Sequence, residues 1–324
     1  MAAGRLHRQL GLRERIEGEG GNIDVFGSMV ALELPILLRP LKSLLGAYLR
    51  EPAHGVLVTT QRPLSIQRFT AAHELGHYYI GHAPSLDDEN ILRRSPFAPQ
   101  TEQDLQEVEA NAFAAAFLMP RWLIAWYGER QDWHGDDYTR PDVIYQLALR
   151  LGTSFEATCW TLQRYKLIST PAARQVVSTP VRRLKEALLE DYQPADFFRD
   201  VWLLTARDAG TVISGSRSDL FVLRLEEHSG GGYLWNIDEL EASGFAIVQD
   251  AREAIAAEAI GSHSVRRVTA ALEVAQSGRV TLDERRPWQA AEPLNQLVLY
   301  YDLTGPEEEG LSRAERRQIL ETAA

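Results

Sequence analysis

The hydrophobic spacing of this chain changes character near residue 200. Between residues 65 and 167, apolar side chains recur at helical spacing, as in Phe69, Ala72, Leu75, Gly76, Tyr79 and Ile80. Beyond residue 200 they alternate, as in Leu220 to Leu225, Val265 to Leu272, Val280 to Leu282 and Gln296 to Leu303, with glycine turns at Gly230-Gly231-Gly232 and Gly278. Helices and strands segregated in this way exclude a single layer of alternating β and α units, and predict an α+β chain of separate domains. A length of 324 residues accommodates about two or three of them.

Finer punctuation divides the first half. Residues 4–16 and 23–33 read as two short helices. The apolar runs Ile36–Leu38, Leu45–Leu49 and Gly55–Val58, set off by prolines, predict a small antiparallel sheet. Ser65 is the expected N-cap of the next helix; residues 83–100 read as a loop and 102–118 as a helix ended by Pro120. Residues 141–152 and 155–167 form a helical pair around Gly152-Thr153-Ser154. A polar stretch flanked by Pro171 and Pro180 reads as a linker. Ala251 to Ile260 reads as helix or loop, and residues 311–323 as a charged terminal helix.

Lys and Arg number 34 against 45 Asp and Glu, a net charge of -11, so the overall field repels phosphate backbones and anionic membranes. No apolar run approaches the length of a membrane span. The single cysteine, Cys159, can form neither an intramolecular disulfide nor a thiolate cluster, and no export signal is apparent, so the expected compartment is the cytoplasm.

The chemistry concentrates at His73-Glu74-Leu75-Gly76-His77. On a helix the i,i+4 spacing puts both imidazoles on one face, where they can close on one Zn²⁺ with Glu74 beside the open position. About thirty residues on, Glu107-Val108-Glu109-Ala110-Asn111 opens a second helix with an apolar C-terminal half. Glu107 and Glu109 lie on nearly opposite sides, so only one can ligate. Glu107 is the expected ligand, because Asn111 shares its face and can bond a ligating imidazole from behind. Glu74 is the candidate catalytic base, and Tyr78, Tyr79, His82 and Tyr127 are candidates for stabilising an oxyanion.

Arg68 to His77, followed by Glu107-x-Glu109-Ala110-Asn111-x-Phe113-Ala114 and Leu118-Met119-Pro120, resembles the ImmA/IrrE metallopeptidases over roughly residues 5–170. The resemblance implies a minimal gluzincin-like protease fold and a zinc cofactor. It also implies a regulatory activity, cleavage of a helix-turn-helix repressor that switches on stress or mobile-element genes.

The helical pair around Gly152 resembles a helix-turn-helix, but Glu156 stands where base contacts would be made, so direct DNA binding is not expected. In the β-rich half, Gly231, Gly232, Tyr233 and Trp235, with Arg286-Pro287-Trp288, resemble two loops of the chagasin-like cysteine-protease inhibitors over roughly residues 205–305. That resemblance implies an immunoglobulin-like β-sandwich. The chain departs from the inhibitor pattern at His228-Ser229-Gly230-Gly231-Gly232-Tyr233, where glycine replaces the threonine that contacts the protease in that family. The loops are therefore expected to bind a substrate or a second protein partner.

The expected organisation is a metallopeptidase domain at 1–135, a helix-turn-helix-like extension at 136–172, a linker at 173–199, a β-sandwich at 200–306 and a terminal helix or tail at 307–324. Two functions remain open. One is a zinc-dependent regulatory endopeptidase acting on a protein substrate and not on membranes. The other is a non-proteolytic binding regulator or cysteine-protease inhibitor acting through the C-terminal domain, with zinc only holding the fold.

Overall fold

The computed structural model describes residues 2–51, 54–83, 85–88, 102–254, 263–289 and 292–323. The chain opens with α1 (Ala2–Gln9), α2 (Leu12–Glu19) and α3 (Val25–Ala31). Three helices stand where two were expected, because Gly11 at φ +59° breaks the first pair. Asp24 caps α3 by accepting the Gly27 N–H at 2.9 Å.

There follow β1 (Ile36–Arg39), β2 (Leu44–Leu49), β3 (Gly55–Thr59), α4 (Leu64–Ile80), β4 (Ser85–Asp88), α5 (Glu102–Leu118), α6 (Arg121–Gln131), α7 (Pro141–Leu151), α8 (Phe155–Arg164), α9 (Thr170–Val177) and α10 (Val181–Leu189). The β-rich part comprises β5 (Val201–Leu204), β6 (Val212–Ser214), β7 (Leu220–Glu227), β8 (Leu234–Asn236), α11 (Asp238–Ala242), β9 (Phe245–Ala254), β10 (Ser264–Leu272), β11 (Ser277–Arg285), β12 (Asn295–Asp302), β13 (Gly310–Leu311) and α12 (Arg313–Ala323).

The antiparallel sheet expected near the N-terminus is mixed instead, with the order β13-β1-β3-β2-β4. β1 and β2 form no hairpin: β3 inserts between them, parallel to β1 and antiparallel to β2, and buries Val56 and Val58 at the centre. α4 begins at Leu64 after Pro63, one residue before the expected cap at Ser65. Within the expected linker the chain completes α9 and forms α10, because Pro171 lies in the first turn of α9 and Pro180 caps α10. Of the stretches read as loop or helix, residues 85–88 and 251–254 are strand; 84, 89–101 and 255–262 lie outside the described residues.

Two four-stranded sheets, β5-β7-β10-β9 and β6-β12-β11-β8, feed one apolar core that includes Phe221, Val268, Leu282 and Leu299. The open edge of β5 is covered by side chains of α7. Tyr145 accepts the Val201 N–H at 2.9 Å, and Gln146 donates to Val201 O at 2.9 Å and accepts the Leu203 N–H at 2.8 Å. Arg150 donates to Leu203 O at 2.8 Å. The first helix of the helix-turn-helix-like pair thus spends its polar face on a strand edge.

Chain also returns in the other direction. β13 pairs antiparallel with β1, Leu37 opposite Leu311, and α12 packs against α3. Buried Gln67 of α4 donates to Glu307 O at 3.2 Å and accepts the Glu307 N–H at 2.7 Å. Among the described residues, no helix is long and apolar enough to cross a membrane.

Candidate metal centre

Two glycines shape the site. At Gly76 of α4 a Cβ would lie 3.3 Å from Ala110 Cα and 3.1 Å from Phe113 Cδ1, so its absence lets α4 and α5 cross closely. At Gly46 of β2 a Cβ would lie 2.7 Å from Glu74 Oε1 and 2.5 Å from Thr70 Cγ2, so glycine here leaves room for the Glu74 carboxylate. His73, Glu74, His77 and Glu107 are all buried.

The crossing brings His73, His77 and Glu107 together, each offering a ligand atom within 4.8 Å of the others. The two Nε2 atoms stand 2.9 Å apart, with Glu107 Oε2 3.2 Å from His73 Nε2 and Oε1 3.6 Å from His77 Nε2. His73 Nδ1–H donates to Asn111 Oδ1 at 3.1 Å, which leaves its Nε2 lone pair turned inward. Burial works to raise the Glu107 carboxyl, whereas His73 and His77, in the states where their Nε2 atoms carry protons, outweigh it and draw the carboxyl below the usual range. Two imidazole nitrogens and a carboxylate converging in a buried space match the donor set of a zinc site with one open position.

The oxyanion candidates separate. Tyr127 is buried with its hydroxyl donating to Gly21 O at 2.7 Å, and Tyr79 turns to Gln9 at 3.3 Å, so both serve packing. His82 Nδ1 lies 3.1 Å from His77 Nδ1 and its Nε2 3.1 Å from Glu109 Oε2, so His82 stands behind His77. Burial draws the His82 imidazole below the ordinary histidine range, against the opposing hydrogen bond to Glu109. Tyr78 packs edge-on against Tyr48 of β2 and against His54, on the β2 side that Glu74 also faces. Tyr48, whose hydroxyl lies 2.6 Å from His54 Nδ1, carried no sequence signal beyond its strand position. His82 did carry one: Gly81, at φ +87°, ends α4 in a left-handed turn that bonds the His82 N–H to His77 O at 2.9 Å.

In the β-rich half the two expected loops meet. Arg286 donates to Gly231 O at 3.0 Å and stacks over Tyr233 at 4.6 Å. Trp288, following Pro287, is 73% exposed and lies against Gly232, where a Cβ would come within 2.6 Å of the indole. Trp235, expected in the loop surface, is instead a core residue, its indole donating to Glu226 O at 2.7 Å, because its position on β8 turns inward.

Residues 32–163 match the model of the peptidase family M78, described as an IrrE N-terminal-like domain. Solved structures similar to the C-terminal part include the cysteine protease inhibitor EhICP2 from Entamoeba histolytica, 23% identical over 33% of this chain and 99% of its own, with a TM-score of 0.30. Amebosin is 22% identical over 32% of this chain and 96% of its own, with a TM-score of 0.26. PbICP-C, solved in complex with falcipain-2, is 13% identical over 34% of this chain and 95% of its own, with a TM-score of 0.19. No curated protein matches the chain.

Proposed function

We propose that this chain is a zinc-dependent regulatory endopeptidase whose substrate is a protein of the helix-turn-helix repressor class. The observation that carries the reading is the convergence of His73, His77 and Glu107 on one buried point, with Glu74 on the adjoining turn of α4. Zinc held by these three residues would supply Lewis-acid polarisation of a scissile carbonyl and a lowered pKa for water. Glu74 takes the proton of the attacking water and passes it to the leaving amine nitrogen, so it ends the cycle as it began. We assign Tyr78, on the β2 side of α4, as the candidate donor to the developing oxyanion.

The β-rich half is read as an immunoglobulin-like sandwich that binds a protein partner through Tyr233, Arg286 and Trp288, since exposed tryptophan beside arginine is the chemistry of interface anchors.

The test is Glu74→Gln in the full chain, with bound zinc measured alongside cleavage of a helix-turn-helix repressor. One zinc per chain with cleavage lowered about 10²- to 10⁴-fold is expected from loss of a general base. Undiminished cleavage by that variant, or a wild-type chain that leaves such repressors and generic peptides intact, would overturn the reading.

A further inference from the structure

His73 and His77 are braced from behind by different means. Asn111 presents a carbonyl to His73 Nδ1, whereas His77 Nδ1 meets another imidazole nitrogen, that of His82, at 3.1 Å. Two ring nitrogens at that distance form a hydrogen bond only when one carries the proton and the other offers a lone pair. The far side of His82 decides which. Its Nε2 lies 3.1 Å from Glu109 Oε2, and an ionised carboxylate only accepts, so the His82 proton resides on Nε2 and its Nδ1 is the acceptor. His77 must then carry its proton on Nδ1, which leaves the Nε2 lone pair facing Glu107 and His73.

We infer that Glu109 and His82 form a positioning pair that fixes His77 in its metal-binding tautomer. The pair rests on the metal reading of this site, but not on peptide cleavage. It assigns a task to Glu109, which lies across α5 from Glu107 and reaches His82 where the Gly81 turn brings the chain back over His77. Its carboxylate is half exposed while His82 is buried, so the acceptor at the outer end stays in contact with water and the inner end stays dry.

The test is the zinc affinity of full-length variants by chelator competition, together with the visible absorption of the cobalt-loaded forms and the melting temperature of the metal-free forms. His82→Phe, which removes the acceptor, is expected to weaken zinc about 10- to 100-fold and to alter the cobalt spectrum. His82→Gln, which can present a carbonyl as Asn111 does, is expected to restore most of the affinity. Glu109→Ala is expected to lose about 10-fold, and Glu109→Gln, which keeps an acceptor oxygen, to stay near wild type. Wild-type affinity in His82→Phe, or equal losses in His82→Phe and His82→Gln with matching falls in metal-free melting temperature, would show a merely structural role and overturn the inference. If His82→Phe fails to fold, Glu109→Ala decides, and unchanged affinity there overturns it. A wild-type chain that takes up neither zinc nor cobalt removes the metal reading and the pair with it, whereas tight zinc binding without peptide cleavage removes the peptidase reading alone.

Discussion

At the junction of α7 with the β-rich half, buried Arg150 donates to Asp208 Oδ1 at 2.8 Å through Nη2 and at 3.2 Å through Nε, and Gln131 donates to the same oxygen at 2.8 Å. Asp208 Oδ2 accepts the Thr205 N–H at 2.9 Å. Between α4 and α5 the balance differs: among the described residues, no lysine or arginine pairs with Glu107, and two imidazole Nε2 atoms face it and each other. The first cluster is complete within the chain, and the second has the donor set that the proposed zinc would complete. Burial of polar groups alone distinguishes neither; what separates a structural network from a binding site is whether donors and acceptors balance.

Substitutions can break or sharpen that contrast. Asp208→Ala strands the Arg150 charge in the interior, and should destabilise the chain by about 3–5 kcal/mol in chemical denaturation while zinc stoichiometry is unchanged. Glu107→Ala removes a ligand, and should weaken zinc by more than the about 100-fold that bounds the loss of a supporting partner, with little effect on metal-free stability. Asn111→Ala should weaken zinc about 10- to 100-fold in the same chelator titration. Glu309→Ala breaks the exposed pair with Arg39, and should cost no more than about 1 kcal/mol without touching zinc affinity. If Asp208→Ala released zinc as readily as Glu107→Ala, the two clusters would be one cooperative unit and the contrast would fall.

The helices that carry the ligands were legible because their signals are local: i,i+4 spacing for His73 and His77, and a shared face for Glu107 and Asn111. The change to strands near residue 200 was legible for the same reason. What escaped depends on partners distant in sequence. β13 is two residues long and has no periodicity to detect, and β1 and β2 fail to pair with each other only because β3, later in the chain, takes the place between them. Arg150 reads as a surface cation until Asp208 and Leu203 are placed against it. Trp235 and Tyr127 have the composition of functional residues, but their polar atoms are taken by Glu226 and Gly21 in the interior.

The clasp of Gln67 on Glu307 also sets an order of events during synthesis. The amide of the helix that carries His73 and His77 waits for a backbone partner 240 residues further along, which at about 5–20 residues per second means roughly ten to fifty seconds. Throughout that interval β1 has an unpaired edge where β13 will lie, and the polar face of α7 lacks β5 until the β-rich half emerges. Nascent chains therefore present a strand edge to chaperones, or to one another, well after the HExxH helix has been made. The first sheet is completed from the C-terminal side, so a ribosome that stalls within the β-rich half leaves β1 without its β13 partner.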